Sequence, residues 1–132
     1  MQQTYGNKVR IVFKDFPLPN HAEAFKAAES AHCAGDQGKY WEMHDLMFEN
    51  QRTLQVPSLK QMAGKLGLDQ AKFDSCLDAG THAAHVKVDY ELGEKMGVNS
   101  TPTIYINGRP LVGAQPFEQF KLIIDEELSR SK

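Results

Sequence analysis

An alternation of apolar and polar residues near the start of the chain predicts a β-strand. In KVRIVFKDF, the apolar Val9, Ile11 and Phe13 alternate with Lys8, Arg10 and Lys14, and Val12 adds apolar content on the other side. A period of two is typical of a strand that buries one side. We therefore predict that KVRIVF is a strand, which ends at the prolines of the following PLP.

Apolar residues at helical spacing predict about five helices in the middle of the chain. The first four segments with this spacing are HAEAFKAAESAHCA, YWEMHDLMFENQ, SLKQMAGKL and DQAKFDSCL, and a longer one runs from Thr81 to Met96. Ser58 and Gln61 match a capping box at the start of the third helix. Asp69 stands where it can cap the fourth.

The last part of the chain predicts a hairpin followed by a helix. TIYI and RPLV flank Asn107-Gly108, a pair that tolerates positive φ and favours a tight type I′ turn. Pro110 cannot donate a hydrogen bond to a neighbouring strand, so RPLV should be an edge strand. The closing segment PFEQFKLIIDEELSR predicts a helix whose core-facing stripe is Phe117, Phe120, Ile124 and Leu128. This order of strand, helices, hairpin and helix indicates an α/β fold.

Composition narrows the class of protein. The chain has 132 residues, of which 41% are hydrophobic and 24% charged, with a net charge of −2. This length suits one compact domain, and the scattered lysines and arginines give no patch for a polyanion. No run reaches the roughly 20 apolar residues that cross a bilayer, and the opening MQQTYGNK lacks the features of a secretion signal. Neither nucleic acid nor a membrane is expected as a partner.

Four stretches together resemble the DsbA-like branch of the thioredoxin superfamily. They are KVRIVFKDFPL, HAEAFKAAESAHCAGDQGKYWEMHDLMF, LGLDQAKFDSCLDAG and GVNSTPTIYINGRPLVGAQPFEQF. The resemblance implies a single domain over residues 1–132, with a helical insertion at about 20–96 in a thioredoxin-like part at about 7–19 and 97–130. It also implies thiol-disulfide exchange on other polypeptides, without a cofactor.

The pair Thr101-Pro102 matches the cis-proline loop of that family. An X-Pro bond costs only about 0.5–1 kcal/mol to hold in cis, so proline can supply such a bend at little cost. The resemblance implies that Ser100, Thr101 and Pro102 bind an extended polypeptide substrate. The alternative is that Pro102 is an ordinary trans turn residue before a strand.

The catalytic motif of the family is absent from this sequence. Thioredoxin-like exchange uses two cysteines separated by two residues at a helix N-terminus, where the attacking thiolate is stabilised. The two cysteines here, Cys33 and Cys76, are far apart. In relatives, the central strand and the active-site helix precede the stretch that begins here as TYGNKV. We therefore expect an N-terminally truncated fold with no catalytic residue in this chain. Enzyme activity stays open, and a redox-inactive peptide-binding or structural module is the alternative.

The expected loss of a central strand affects assembly. In the family, that strand lies between those matching KVRIVF and TIYI, and unpaired strand edges invite pairing with another chain. We expect these two strands to pair directly or the chain to form a homodimer, unless it is a fragment that works with upstream residues. The family also implies an oxidising, extracytoplasmic compartment in bacteria, although no signal peptide is visible.

Cys33 and Cys76 fall within family-like stretches, SAHCAGDQGKYW and FDSCLDAG. Some relatives carry a second, non-catalytic disulfide that joins these helices, so the resemblance implies a structural disulfide here. Two buried free thiols are the alternative. A reactive pair is less expected, because nothing nearby in sequence indicates a lowered thiol pKa.

His82 and His85, in HAAH, could present two imidazoles to one metal ion, with His32 and Cys33 as conceivable further ligands. Zinc needs about four ligands and no second pair at metal-finger spacing exists, so no metal site is expected. His32 is expected against the helical core with its polar tip on a hydrogen-bond partner. The aromatic run around Trp41 is also expected in the core.

Overall fold

The computed structural model describes residues 2–131, which form two compact units. One unit comprises residues 15–92, called here the helical unit, and the other comprises residues 2–14 with 93–131, called the hairpin unit. The helices are α1 (Gln2–Tyr5), α2 (Ala24–Gly35), α3 (Tyr40–Glu49), α4 (Val56–Lys65), α5 (Gln70–Ala79), α6 (Ala83–Lys95) and α7 (Phe117–Arg130), and the strands are β1 (Thr103–Ile106) and β2 (Arg109–Val112). A 3-10 turn, Gly6–Lys8, follows α1. The fold is thioredoxin-like, mostly helical, with a small two-stranded sheet.

The core of the helical unit lies between α2, α3, α4 and α5. Its buried members are Cys33, Ala34, Met43, Leu59, Met62, Ala63, Phe73 and Leu77. Small residues on α2, such as Ala31 and Ala34, let the neighbouring helices approach closely. Trp41 is 45% exposed, so the expectation that it belongs to the core is wrong. The buried side of α3 is instead the one with Met43.

The predicted helix ends are partly right. Asp69 caps α5, with its side chain accepting a hydrogen bond of 3.2 Å from the Lys72 main-chain N–H, as its position before the helix predicts. The capping box at Ser58 is wrong, because α4 already begins at Val56. Pro57 sits in the first turn, where a missing N–H costs nothing, and this moves the start of the helix ahead of Ser58.

The prediction that KVRIVF forms a strand is wrong. Residues 9–18 have no regular secondary structure, and the described part of the chain holds one sheet, made of β1 and β2. Direct pairing between this segment and TIYI is therefore not observed. A strand needs a neighbouring strand to satisfy its main-chain hydrogen bonds, and within residues 2–131 no strand pairs with this segment. Ile11, Val12 and Phe13 are left exposed.

The hairpin forms as the Asn-Gly pair predicts. β1 and β2 are antiparallel with Ile106 opposite Arg109 and Tyr105 opposite Pro110. Asn107 and Gly108 both have positive φ, 48° and 86°, which is the backbone that a type I′ turn needs. In this two-stranded sheet Pro110 is on an edge strand, as expected.

The hairpin unit has a small core on α7. Tyr5, Phe120 and Ile124 are buried there, and Val9, Ile104, Ile106, Leu111 and Leu128 pack against them. The Tyr5 hydroxyl donates a 2.7 Å hydrogen bond to Asp125, which joins the start of the described chain to its last helix. No helix within the described residues is long and apolar enough to cross a membrane.

Candidate functional site

The loop that joins α6 to β1 carries the three predicted substrate-binding residues. α6 ends in a tight turn, in which the Val98 N–H donates a 2.9 Å bond to the Gly93 carbonyl and Gly97 takes a φ of 81°. The chain then runs through Ser100 and Thr101 to Pro102, immediately before β1. The peptide bond between Thr101 and Pro102 is cis.

Hydrogen bonds hold this loop on both sides of Thr101. The Thr103 hydroxyl donates a 2.7 Å bond to the Ser100 carbonyl, and the Gly113 N–H donates a 2.8 Å bond to the Pro102 carbonyl. Thr101 itself is exposed, and within residues 2–131 no hydrogen bond uses its amide or its carbonyl. The loop therefore leaves the N–H and the C=O of the exposed Thr101 without a hydrogen-bond partner in the described part of the chain, next to main-chain groups that are held.

The two cysteines lie in the other unit and are joined to each other. Cys33 on α2 and Cys76 on α5 form a disulfide that spans 43 positions of the chain. Cys33 is buried in the core of the helical unit. This disulfide agrees with the structural role that the resemblance implies, and the alternative of two free thiols does not hold.

A cluster of two histidines and two aspartates lies within the helical unit. Asp15 precedes α2, His32 is on α2, and His85 and Asp89 lie one turn apart on α6. One nitrogen or carboxylate oxygen from each of the four residues lies within 4.8 Å of those of the other three. We call these four residues the histidine-aspartate cluster.

Direct contacts hold the cluster together. His32 Nε2 lies 2.5 Å from Asp15 Oδ2, and the Asp15 main-chain N–H donates a 3.1 Å bond to Asp89 Oδ2. His85 Nε2 is 3.6 Å from the same Asp89 oxygen, and the rings of His32 and His85 are 4.2 Å apart. Both aspartates are buried. His32 thus finds a polar partner at the edge of the core, as expected.

The two carboxylates change the titration of their neighbours. The hydrogen bond to Asp15 raises the pKa of His32 above its ordinary value, against the opposing effect of burial. Burial, together with the charges of Asp15 and Asp89, raises the pKa of the Tyr40 phenol. The cluster is therefore a region of negative potential.

A third histidine of this region has a separate partner. His82 Nε2 lies 2.7 Å from Asp36 Oδ2, and its ring is 5.6 Å from that of His32. HAAH therefore does not act as one pair, because His82 faces Asp36 while His85 faces Asp89.

Comparison with known proteins identifies the family. Residues 2–126 match a family model described as Thioredoxin. This chain belongs to the thioredoxin family. Within that match, the loop at Thr101-Pro102 lies in the hairpin unit, and the cysteines lie in the helical unit. None of the site residues named above falls outside the matched range.

This thioredoxin-family chain is also similar to parts of longer proteins. It is 37% identical over 111 residues to Na(+)/H(+) antiporter NhaA 1 of Salinispora arenicola, which is 83% of this chain and 17% of that protein. It is 37% identical over 102 residues to NhaA 3 of Salinispora tropica, covering 76% and 16%. NhaA of Herminiimonas arsenicoxydans is 32% identical over 110 residues, covering 83% and 17%. The chain thus spans less than a fifth of the length of these relatives.

Sequence reasoning finds the loop of this thioredoxin-family chain but only half of the cluster. Its conceivable ligands include His32 and His85, together with His82 and Cys33, which lie outside the cluster, and it predicts no metal site. Asp15 and Asp89 carry no local signal, since a single aspartate in a loop or on a helix is most often solvated. The i, i+4 spacing of His85 and Asp89 is the one pattern that could have indicated two ligands on one helix face.

Proposed function

We propose that this chain is the polypeptide-binding part of a DsbA-like thioredoxin fold, and that by itself it binds polypeptides without exchanging disulfides. One observation carries the proposal: in the loop before β1, the N–H and C=O of the exposed Thr101 have no hydrogen-bond partner within residues 2–131, while the carbonyls of Ser100 and Pro102 are held by hydrogen bonds. A fixed, unpaired main-chain group is what an extended peptide uses for recognition, because its own backbone supplies the complementary donor and acceptor.

The chemistry of the cysteines supports binding without exchange. Exchange requires a thiolate that attacks a disulfide and a second thiol that resolves the product. Both sulfurs of this chain are already joined, and Cys33 is buried. A buried structural disulfide is a poor reagent for either step.

The relatives support a partner that is itself a polypeptide. Similar segments make up 16–17% of proteins named as Na(+)/H(+) antiporters. In those relatives the similar segment is part of a much longer chain, so a neighbouring polypeptide is the partner we propose for the loop.

The first test is binding of an unfolded polypeptide. We expect a fluorescein-labelled polypeptide with carboxymethylated cysteines to bind the full chain, measured by fluorescence anisotropy. Thr101→Glu should weaken binding by at least about tenfold, or 1.4 kcal/mol, because it adds bulk and charge beside the exposed peptide group. Thr81→Glu, at an exposed threonine of the other unit, is the matched control and should bind like the parent.

Two results would contradict this proposal. Equal weakening by both threonine variants would mean that the labelled polypeptide does not use the loop. Catalysed insulin reduction that is lost on Cys33→Ser would mean that the cysteines are reactive after all. We expect no insulin reduction above the background of free thiols.

A full oxidoreductase is the second candidate, favoured by the DsbA-like motifs. In that case, a strand and a C-x-x-C motif would be encoded in frame ahead of TYGNKV. A longer chain that includes them should reduce insulin, and replacement of either cysteine of the motif should abolish this activity. Without such a motif upstream, the binding role is favoured.

Self-association is a further part of the proposal, and it rests on the exposed segment Ile11 to Phe13. Val12 is 57% exposed, and no strand within the described residues pairs with its backbone. We expect a dimer by light scattering at high concentration, and Val12→Lys should shift it to monomer. Val88→Lys, at a valine that is 62% exposed in the helical unit, should stay dimeric. A parent chain that is monomeric at every concentration would exclude this mode.

A further inference from the structure

We propose that Asp15, His32, His85 and Asp89 bind one divalent transition-metal ion, such as Zn²⁺, which ties together the two ends of the helical unit. The site is independent of the polypeptide-binding loop, because all four residues lie within residues 15–92. Whether or not metal binding is observed, the proposed polypeptide-binding role is therefore tested separately.

The donor atoms match such an ion in type and spacing. Zinc binds imidazole nitrogen and carboxylate oxygen at about 2.0–2.1 Å, so the ligands of a tetrahedral site lie about 3.4 Å apart. His85 Nε2 and Asp89 Oδ2 are already 3.6 Å apart, and one donor atom of each cluster residue lies within 4.8 Å of the others. His32 and Asp15 are in direct hydrogen-bond contact, and the ion would replace that contact.

The charge of the cluster also favours a cation. Asp15 and Asp89 are both buried, and within residues 2–131 the ion-pair partners of their carboxylates within 4.0 Å are histidines, His32 for Asp15 and His85 for Asp89, with no lysine or arginine. Buried charges are costly unless they are paired or coordinate a metal. One divalent ion would balance both carboxylates while the two imidazoles stay neutral, which is the form that coordinates.

The ligand set also indicates the class of ion. Imidazole suits zinc, copper, iron and nickel, whereas calcium and magnesium prefer oxygen ligands alone. Thiolates do not contribute, since Cys33 and Cys76 are joined. The His85 side chain is 52% exposed, so an ion can reach the cluster from solvent. The remaining three ligands fix it from the buried side.

Binding would join three separate segments. Asp15 lies where the chain enters the helical unit, His32 lies on α2, and His85 and Asp89 lie on α6 close to where the chain leaves it. An ion held by all three stabilises the folded form, because the unfolded chain does not bring these residues together.

The test uses the tag-free chain of 132 residues without reductant, after removal of metal with EDTA and dialysis. Zn²⁺ is titrated in competition with a chromophoric chelator, and Co²⁺ binding is followed through its visible absorption. We expect one ion per chain, and a higher melting temperature with Zn²⁺. Loss of an outer-shell partner costs about 10–100-fold in metal affinity, so His85→Gln, which removes a ligand, should cost at least about tenfold. His82→Gln, one turn away and paired with Asp36, is the control and should change affinity by less than about twofold.

Three outcomes would overturn the site. They are the absence of saturable binding near one ion per chain, equal losses in the two histidine variants, and Co²⁺ absorption that stays that of the hydrated ion. The last of these is read on the parent protein, so it decides the question even if His85→Gln fails to fold. Far-UV circular dichroism of both variants checks that the loss of affinity is not a loss of structure.

Discussion

Phe73→Ala is expected to destabilise the protein by about 3–5 kcal/mol. The Phe73 side chain is fully buried in the core of the helical unit, between α5 and its neighbours. Its removal forfeits the transfer free energy of the ring and leaves a cavity that the surrounding helices fill only in part. A natural domain is stable by about 5–15 kcal/mol, so this variant should lie close to the unfolding threshold.

Urea denaturation followed by circular dichroism measures the effect of Phe73→Ala. Phe48→Ala is the matched control, because Phe48 is 58% exposed on α3. It should cost less than about 1 kcal/mol, as is usual for a surface position. The dependence of the free energy on urea should be unchanged if only stability differs. A loss as small for Phe73 as for Phe48 would mean that this core is not packed as described.

Removal of the disulfide is expected to cost about 4 kcal/mol in the free energy of unfolding, on the chain-entropy model for a loop of this length. The bond between Cys33 and Cys76 closes a loop of 43 positions that runs from the last turn of α2 through α3 and α4 into α5. Without it, the unfolded chain gains conformational freedom that folding must then remove.

The double variant Cys33→Ala/Cys76→Ala, compared with the parent in urea, measures this loss. Dithiothreitol supplies the control, since it should lower the midpoint of the parent and leave the double variant unchanged. Alkylation of the denatured, unreduced parent should add no mass, because no thiol is free. Addition of two alkyl groups to protein isolated under oxidising conditions would exclude the bond.

The parts of the fold that sequence predicts are those fixed by short-range chemistry. Asn107-Gly108 determines the hairpin because few residues other than asparagine and glycine adopt the positive φ that its turn requires. Asp69 caps α5 by accepting a hydrogen bond from the main-chain N–H of a residue three positions later. α6 and α7 lie within two residues of their predicted bounds, although Phe117, expected on the core-facing stripe of α7, is 38% exposed. Each of these features is decided by residues that are close together in the chain.

The wrong predictions concern features that depend on contacts with residues far away in the sequence. KVRIVF has the pattern of a strand, but a strand also needs a neighbouring strand, and within residues 2–131 no strand pairs with it. Trp41 has the composition of a core residue, yet Met43 faces the core because the packing of α2 and α4 fixes which side of α3 is buried. The spacing of apolar residues predicts that a helix forms, but it does not decide which side of that helix is buried.

The same reasoning explains the two candidate sites. The loop at Thr101 is visible in sequence because its signal is continuous with TPTIYING and lies in one segment. The histidine-aspartate cluster draws on three segments that meet only in the folded helical unit. The position of Asp15 beside Asp89, 74 residues later, follows from tertiary packing alone.

That same pairing has a consequence for how such a chain can change over time. The Asp15 N–H binds Asp89, and the Phe16 ring stacks on Tyr90 at 4.6 Å, so the two ends of the helical unit lie side by side. A unit with adjacent ends can be lengthened, shortened or exchanged as a cassette while the flanking segments keep their spacing. Among distant relatives, insertions, deletions and substitutions should therefore accumulate in the part of the sequence between Phe16 and Tyr90.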